Sequence, residues 1–194
     1  LSAARAAAVH LGLPIVVLGR GSNVVVSDHG LDAVVVRLGR GFGRTAVDTD
    51  GTVVAGAAAH QPKVARFSVD HDRGGLEFLV GIPGSIGGGV RMNAGCFGTE
   101  FSDVLIDAEV FDLEDGSVST RPAGGLAMAY RSTNLTDRDV VTSARLRSTP
   151  QPADRGRRRI HSCHQYCAGG ASLSLHRHRV RAGARDPLRA RGAR

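Results

Sequence analysis

The chain has 194 residues, a hydrophobic content of 42% and a formal net charge of +7. This length and apolar content suffice for one large domain with a packed core, and no run of about eighteen apolar residues or signal-peptide pattern is present, so a soluble cytoplasmic protein is expected. All of the basic excess lies in residues 151–194, because residues 1–150 carry a net charge of −2.

The first half of the chain predicts a helix followed by short strands. The opening run LSAARAAAVHLGLP predicts a helix already under way at Leu1, so we expect part of the natural N-terminus to be missing. Between Ile15 and Leu38, the runs IVVLG, VVVS and AVVVRL alternate with turn residues and predict short strands. A further strand, TVVAGA, precedes a stretch from Gln61 to His71 with apolar residues at helical spacing.

The second half of the body predicts a hairpin and one more strand. In VLIDAEVFDLEDGSVST, residues 104–120, charged and apolar residues alternate before an Asp-Gly turn, which is typical of a β-hairpin. The run DVVTSARLR, which ends at Arg147, predicts a strand. Together these segments predict the α+β fold class, without an internal repeat.

The first glycine-rich segment is Gly19-Arg20-Gly21-Ser22-Asn23, here called the first loop, and it lies between two predicted strands. Glycine permits a sharp turn that exposes consecutive backbone N–H groups, which form a concave site for phosphate oxygens. Ser22 and Asn23 add side-chain donors. A turn of this composition is more often only a turn, so the segment has weight only together with a second loop.

The second loop, GIPGSIGGGVRMNAG at residues 81–95, contains six glycines. Because each glycine costs conformational entropy on folding, so many of them indicate backbone packed against something flat or charged. The pattern is neither the G-x-G-x-x-G of a nucleotide-binding βαβ unit nor a P-loop. A glycine-rich turn in the core, with a closely packed helix over residues 85–92, is the structural alternative.

The run GLEFLVGIPGSIGGGVRMNAGCFG resembles the signature of UDP-N-acetylenolpyruvoylglucosamine reductases, and the spacing of LGRGSNVVVSD and AYRSTNL agrees with it. This resemblance covers residues 1–147 and implies the two-lobed FAD-binding domain of the vanillyl-alcohol-oxidase (PCMH) type. Both loops would hold the FAD pyrophosphate and flank the isoalloxazine ring. The cofactor-binding residues implied are Gly19, Arg20, Gly21, Ser22, Asn23, Gly84, Ser85, Gly87, Gly88, Asn93, Ala94 and Gly95.

The resemblance also implies a reaction. In the family, NADPH reduces FAD, and the flavin then passes hydride to UDP-N-acetylglucosamine enolpyruvate to give UDP-N-acetylmuramate for peptidoglycan. Arg131 matches the family's catalytic arginine, whose guanidinium suits the negative charge that develops on the substrate carboxylate. A cytoplasmic enzyme without a membrane partner is implied, and we favour a monomer.

The family's proton-donating serine and assisting glutamate are not recognisable in this sequence. Ser172 and Ser174 lie in a context, GGASLSLHR, unlike that of the family. We therefore expect a fragment that does not complete the reaction. The alternatives are another FAD oxidoreductase of the same superfamily, or a non-catalytic remnant that binds flavin or nucleic acid.

We expect residues 148–194 to be a basic tail that stands in place of the family's substrate-binding domain. Residues 151–194 contain eleven Arg, no Lys and few large apolar residues, so we expect them to be disordered, without a packed core. A nucleic-acid-binding arm would usually contain Lys. We favour translation out of frame, because codons for residues 164–170 shifted by one nucleotide can encode a helical segment of the family's kind. The remaining interpretation is a zinc site, without established ligand spacing, from His161, Cys163, His164, Cys167, His176 and His178.

Overall fold

A computed structural model describes residues 1–168 of the chain, with side chains described as far as Cys163. The fold mixes helices with antiparallel sheet, as the sequence predicts. Short 3₁₀ turns lie at Arg40–Phe42, Glu77–Gly81 and Ala123–Gly125. The α-helices are α1 (Ser2–Leu11), α2 (Gln61–Asp70), α3 (Ile86–Arg91), α4 (Phe101–Val104) and α5 (Ala153–Ala168).

The strands of the described part are β1 (Ile15–Val17), β2 (Val34–Val36), β3 (Thr45–Val47), β4 (Val53–Gly56), β5 (Arg73–Gly74), β6 (Gly95–Cys96), β7 (Thr99–Glu100), β8 (Leu105–Asp112), β9 (Val118–Pro122), β10 (Asp139–Leu146) and β11 (Thr149–Pro150). The largest sheet has five of these strands in the order β3-β4-β10-β8-β9, each pair antiparallel. Two parallel strands, β1 and β2, form a separate small sheet near the N-terminus, and the remaining short strands pair in twos.

The predicted hairpin is confirmed as β8 and β9. Gly116 has a φ of 82° in the turn, a left-handed conformation that glycine adopts without a steric penalty. Along β8, the buried residues Ala108 and Val110 alternate with the exposed Glu109, so one face of the sheet belongs to the core. The predicted helix at residues 61–71 and the predicted strand at residues 139–147 are confirmed as α2 and β10.

The prediction of a strand at VVVS, residues 24–27, is wrong. Residues 25–27 have no regular structure, and the side chains of Val25 and Val26 are 57% and 60% exposed. β-Branched residues favour a strand only where neighbouring strands and side chains pack against them, and these valines have no such partner in the described part.

The packed body extends beyond Arg147. Strand β11 pairs with β5, and α5 contacts α2 and the 3₁₀ turn at residues 77–81. The amide of Gln151 donates to the carboxylate of Glu77 at 2.6 Å. The expectation that residues from 151 onward lack packed contacts therefore does not hold for residues 151–163.

Residues 153–163 pack because α5 carries a stripe of small and apolar residues along one face, although its overall composition is rich in arginine. Ala153, Gly156, Ile160 and Cys163 recur at helical spacing, and Ile160 is only 9% exposed and joins the hydrophobic core. The serines and most of the zinc candidates named in the tail lie outside the residues whose side chains are described. In residues 1–168, no helix is long and apolar enough to cross a membrane.

Candidate functional site

A cavity of about 1700 Å³ brings the two glycine loops together. Its wall also includes residues at the start of α2 and the side of the sheet near Val140 and Val141. Eleven of the twelve predicted cofactor-binding residues line it: Gly19, Arg20, Gly21, Ser22, Asn23, Gly84, Ser85, Gly87, Gly88, Ala94 and Gly95. The exception is Asn93.

Direct contacts fix the first loop against the second. The hydroxyl of Ser22 donates to the carbonyl oxygen of Pro83 at 2.7 Å. A Cβ atom added to Gly19 would lie 2.9 Å from the Oγ of Ser85, so the backbone of the first loop lies close against the Ser85 side chain of the second. The two loops thus form one continuous wall.

The first loop begins just after strand β1. The last pairing bond before it runs from the N–H of Leu18 to the carbonyl oxygen of Val36 at 2.9 Å. The next three N–H groups, of Gly19, Arg20 and Gly21, donate to no acceptor among the described residues. Gly21 has a φ of 74°, and a Cβ atom added there would meet no other atom within 4 Å. Glycine at this position therefore permits the backbone turn and is not required for packing. These free donors are available to a ligand that accepts hydrogen bonds, such as a phosphate.

The second loop is held by the start of α2. The N–H of Gln61 donates to the carbonyl of Gly84 at 3.1 Å, and the Gln61 side-chain amide donates to the carbonyl of Ser85 at 3.1 Å. This arrangement places His60 directly beside Ser85, in an antiparallel bridge. Residues from a distant part of the sequence therefore enter the site next to the glycines.

Several glycines of the second loop serve packing within the protein. A Cβ atom on Gly87 would lie 2.9 Å from the Cβ of Ala57, and one on Gly89 would lie 2.4 Å from the ring of Phe101. Close packing of α3, the structural alternative considered above, thus accounts for these two positions. At Gly88 the nearest atom would be Ser85 Oγ at 3.5 Å, so this glycine leaves room for a ligand.

Asn93 does not line the cavity. It is 1% exposed, and its amide donates to Glu100 Oε2 at 2.8 Å and to the carbonyl of Ala129 at 3.1 Å. Its Oδ1 accepts from the N–H of Ser102 at 2.9 Å. With its donors and acceptor used inside the protein, Asn93 joins the second loop to the segment that carries Arg131 and is not available to a cofactor.

Arg131 lies on the cavity wall in a tight turn, with a φ of 55°. The turn is closed by hydrogen bonds in both directions between Ala129 and Ser132. The guanidinium donates to the carbonyl of Gly95 at 3.3 Å, and its central carbon lies 5.3 Å from the centre of the Tyr130 ring. The structure therefore brings Arg131 to the end of the second loop.

The cavity wall is positively charged. Of its carboxylates, Asp137 pairs with Arg91 at 2.8 Å and Asp139 pairs with Arg121 at 2.6 Å. Burial would raise the pKa of Asp139, but the hydrogen bonds from Thr136 and Arg121 outweigh it and hold the pKa below its usual value. The wall has more basic than acidic side chains. The acidic ones are Asp32, Asp137 and Asp139, and the basic ones are Arg20, Arg37, Arg40, His60, Lys63, Arg91 and Arg131.

His60 and Lys63 are site residues that the sequence motifs did not indicate. Both lie at the start of α2, where nothing in TVVAGAAAHQPK marks a binding function. A weak signal was available, since Lys63 is the only lysine of the sequence. Burial, and then the charges of Arg20, Lys63 and Arg66, lower the pKa of His60 below 6.5, so its imidazole is neutral at pH 7.

The residues present fit an extended dinucleotide. Ligand pockets usually measure about 300–1,000 Å³, and this cavity is larger. Free backbone donors and unpaired cations suit a diphosphate, while Gly88 leaves room for a flat group. Among residues with described side chains, no group of three or more His, Cys, Asp or Glu could hold a metal ion.

An α+β domain with two glycine loops around one cavity defines the class of flavin-dinucleotide-binding domains of the vanillyl-alcohol-oxidase (PCMH) type. A crystal structure of 6-hydroxy-D-nicotine oxidase from Arthrobacter nicotinovorans shares this fold, with a TM-score of 0.56 and 17% identity over 76% of this chain and 33% of that one. The family model described as FAD binding domain matches residues 1–120, and the chain belongs to this family.

The chain is similar to UDP-N-acetylenolpyruvoylglucosamine reductases. That of Erythrobacter litoralis is 48% identical over 71% of this chain and 42% of the relative. The crystal structure of the reductase from Thermus caldophilus has a TM-score of 0.74 and 32% identity, over 82% of this chain and 58% of that one. The chain thus spans less than half the length of curated relatives that it matches. The predicted resemblance to these reductases is confirmed.

Proposed function

We propose that this chain is the flavin-binding part of an FAD-dependent, NADPH-linked UDP-N-acetylenolpyruvoylglucosamine reductase, which would form UDP-N-acetylmuramate for peptidoglycan. The observation that carries the proposal is that both glycine loops and Arg131 line one cavity. The reductases named above support it through sequence identities of 48% and 32%. The reaction would take place in the cytoplasm and serve cell-wall synthesis, cell shape and cell division.

In this proposal, bound FAD would supply the chemistry of hydride transfer between NADPH and the enolpyruvyl double bond. The free N–H groups at Gly19, Arg20 and Gly21 would bind phosphate oxygens. Gly88 would leave space for the ring system, because no side chain stands between α3 and the cavity at that position. The neighbouring Gly87 and Gly89 would set the position of α3 by packing on the body.

Arg131 would bind the carboxylate of the substrate. Its guanidinium offers two parallel hydrogen bonds that match the two oxygens of a carboxylate. As hydride arrives, negative charge develops on that carboxylate, so a fixed cation stabilises the transition state more than the ground state. The bond to Gly95 and the contact with Tyr130 would hold the guanidinium in place beforehand. We assign no proton donor to the described residues.

Two measurements test the proposal. The purified chain should bind FAD, shown by flavin absorbance that stays with the protein through gel filtration. UDP-N-acetylglucosamine enolpyruvate should then perturb the flavin spectrum of the unmodified chain and not that of an Arg131→Gln variant, with Arg138→Gln as the charge-matched control. Arg138 is exposed and pairs with Glu114 outside the cavity. Failure to bind any flavin would overturn the proposal.

A further inference from the structure

Glu100 is a carboxylate beside the cavity to which the proposed function gives no role. It is the last residue of β7, and in the pairing of β7 with β6 it lies opposite Gly95. Gly95 lines the cavity and accepts the 3.3 Å hydrogen bond from the guanidinium of Arg131. Among the described residues, Glu100 is not one of those that line the cavity. Any effect of Glu100 on a ligand therefore passes through its neighbours.

Two hydrogen bonds connect Glu100 to the turn that carries Arg131. The Oε2 of Glu100 accepts from the side-chain amide of Asn93 at 2.8 Å, and the same amide donates to the carbonyl of Ala129 at 3.1 Å. Ala129 and Ser132 close the turn, and Arg131 lies between them. Because Asn93 is only 1% exposed, water has little access to the centre of this connection.

The side chain of Glu100 is itself held on both sides. A Cβ atom on Gly95 would lie 2.6 Å from the Cγ of Glu100, so glycine at position 95 lets the Glu100 side chain lie against β6 and reach Asn93. The carboxylate also accepts from the N–H of Asp103, and the N–H of Glu100 donates to Asp103 Oδ2 at 2.8 Å. These reciprocal bonds form a capping box at the start of α4.

The backbone on both sides of this connection has conformations that side chains disfavour. Four of the five non-glycine residues with positive φ in the described part lie here: Asn93 at 39°, Phe97 at 56°, Ala127 at 44° and Arg131 at 55°. Left-handed backbone at such residues persists only where the surrounding contacts impose it, and it concentrates at functional sites. The bond between Asn93 and Ala129 joins the two segments, which indicates that the contacts impose one position on the Arg131 turn.

We propose that Glu100 is a positioning residue for Arg131 and acts through the amide of Asn93. The carboxylate fixes the orientation of the amide, the amide fixes the turn at Ala129, and the turn presents the guanidinium to the cavity before a substrate arrives. A cation that is ordered in advance costs little further ordering when a carboxylate binds to it. The inference rests on the proposed function for the role of Arg131 and extends it to a residue outside the cavity.

Three variants of the 194-residue chain test the proposal. Glu100→Ala removes the acceptor of the Asn93 amide, whereas Glu100→Gln keeps a side-chain oxygen that can accept in its place. Asp103→Ala is the matched control, because it breaks the other half of the capping box and keeps the bond between Glu100 and Asn93. Urea denaturation defines conditions under which every variant is folded.

The contact of Arg131 with the ring of Tyr130 reports the position of the guanidinium without any ligand. The sequence has two tyrosines, so labelling with 3-fluorotyrosine gives two fluorine NMR signals, and Tyr130→Phe identifies that of Tyr130. We expect Glu100→Ala to move this signal toward its position in Arg131→Gln. The Glu100→Gln and Asp103→Ala variants should leave the signal in place. In the Arg131→Gln background, Glu100→Ala should have no further effect.

Affinities separate this role from a general loss of structure. FAD affinity, measured by fluorescence titration, should match that of the unmodified chain in all three variants. The concentration of UDP-N-acetylglucosamine enolpyruvate that gives half of the flavin perturbation should rise about tenfold in Glu100→Ala, as for the loss of one hydrogen bond. It should stay unchanged in Asp103→Ala.

The ligand-free signal decides the inference independently of the proposed function. A Tyr130 signal that stays in place in Glu100→Ala, or that moves equally in Asp103→Ala, would overturn the positioning role. If the signal moves as expected but the substrate perturbs no form of the flavin-loaded chain, the proposed function is contradicted and the positioning of Arg131 by Glu100 stands.

Discussion

The hydroxyl of Ser22 donates a 2.7 Å hydrogen bond to the carbonyl of Pro83, which joins two loops sixty-one positions apart in sequence. A Ser22→Ala variant should keep its fold, because Ser22 is exposed, but should weaken FAD binding about tenfold by freeing the loops. Fluorescence titration with FAD measures this effect. Ser27→Ala is the control, since the Ser27 hydroxyl only accepts a 3.3 Å bond from His29. Equal affinities of the two variants would contradict a role for the loop contact.

The loops also show how far sequence reasoning reached. Their glycine patterns predicted one site, because a turn that exposes backbone donors has a recognisable composition. The patterns could not show that Gly87 and Gly89 pack on Ala57 and Phe101, since these partners come from other parts of the chain. Only the folded structure distinguishes a glycine that admits a ligand from one that admits a neighbouring residue.

Asn93 was expected to bind the cofactor and instead holds three parts of the protein together. An Asn93→Leu variant keeps the volume but leaves Glu100, the carbonyl of Ala129 and the N–H of Ser102 without this partner. Because these three bonds are only part-buried, each is worth about 1 kcal/mol, so we expect the free energy of unfolding to fall by about 1–3 kcal/mol. Urea denaturation measures the loss. Asn134→Leu, at an exposed position, should change stability far less.

Arg131 should affect turnover and not flavin affinity. An Arg131→Lys variant keeps the charge but loses the paired hydrogen bonds, so in a form of the protein that includes the substrate-binding part we expect turnover to fall about a hundredfold. FAD affinity should stay unchanged, because the two glycine loops remain intact. Steady-state NADPH oxidation gives kcat and KM. Unchanged turnover would remove Arg131 from the reaction.

The ion pair between Arg121 and Asp139 should stabilise the folded protein near neutral pH and lose this effect in acid. The folded-state pKa of Asp139 lies below the ordinary 3.8, because the bonds from Thr136 and Arg121 outweigh burial. A depressed pKa contributes stability that is fully present above the unfolded-state value and is lost as the pH falls through the folded-state value. The difference in stability between the unmodified chain and Asp139→Asn should therefore be constant near neutral pH and shrink below about pH 4. Urea denaturation at several pH values checks this, and a difference that grows in acid would contradict it.

The α5 stripe was hidden in the sequence by the arginines between its members. Composition alone predicted an unpacked segment, whereas the spacing of Ala153, Gly156, Ile160 and Cys163 gives one narrow apolar face, which packs against α2 and the 3₁₀ turn at residues 77–81. The same residues spread over an irregular segment would not have packed. Periodicity was therefore the informative signal at residues 153–163, and net charge was misleading.

A Gly156→Ala variant tests this packing, because the change in the free energy of unfolding has opposite signs with and without the contact. A Cβ atom at position 156 would lie 2.6 Å and 2.8 Å from the two methyl carbons of Val69, a buried and stiff β-branched side chain of α2. On helix propensity alone, Gly156→Ala should stabilise the protein by about 1 kcal/mol. Because the added methyl group forces the two helices apart, we instead expect a loss of about 1–3 kcal/mol.

The control for this change is Arg155→Ala on the same helix. Arg155 is exposed, so alanine there should leave the stability within about 0.5 kcal/mol of the unmodified chain. Combining Gly156→Ala with Val69→Ala should recover part of the loss, since the shorter side chain makes room for the new methyl group. Urea denaturation of the single and double variants measures each value. If Gly156→Ala raised the stability, α5 would not pack on α2 through this face, and the domain would end at β11.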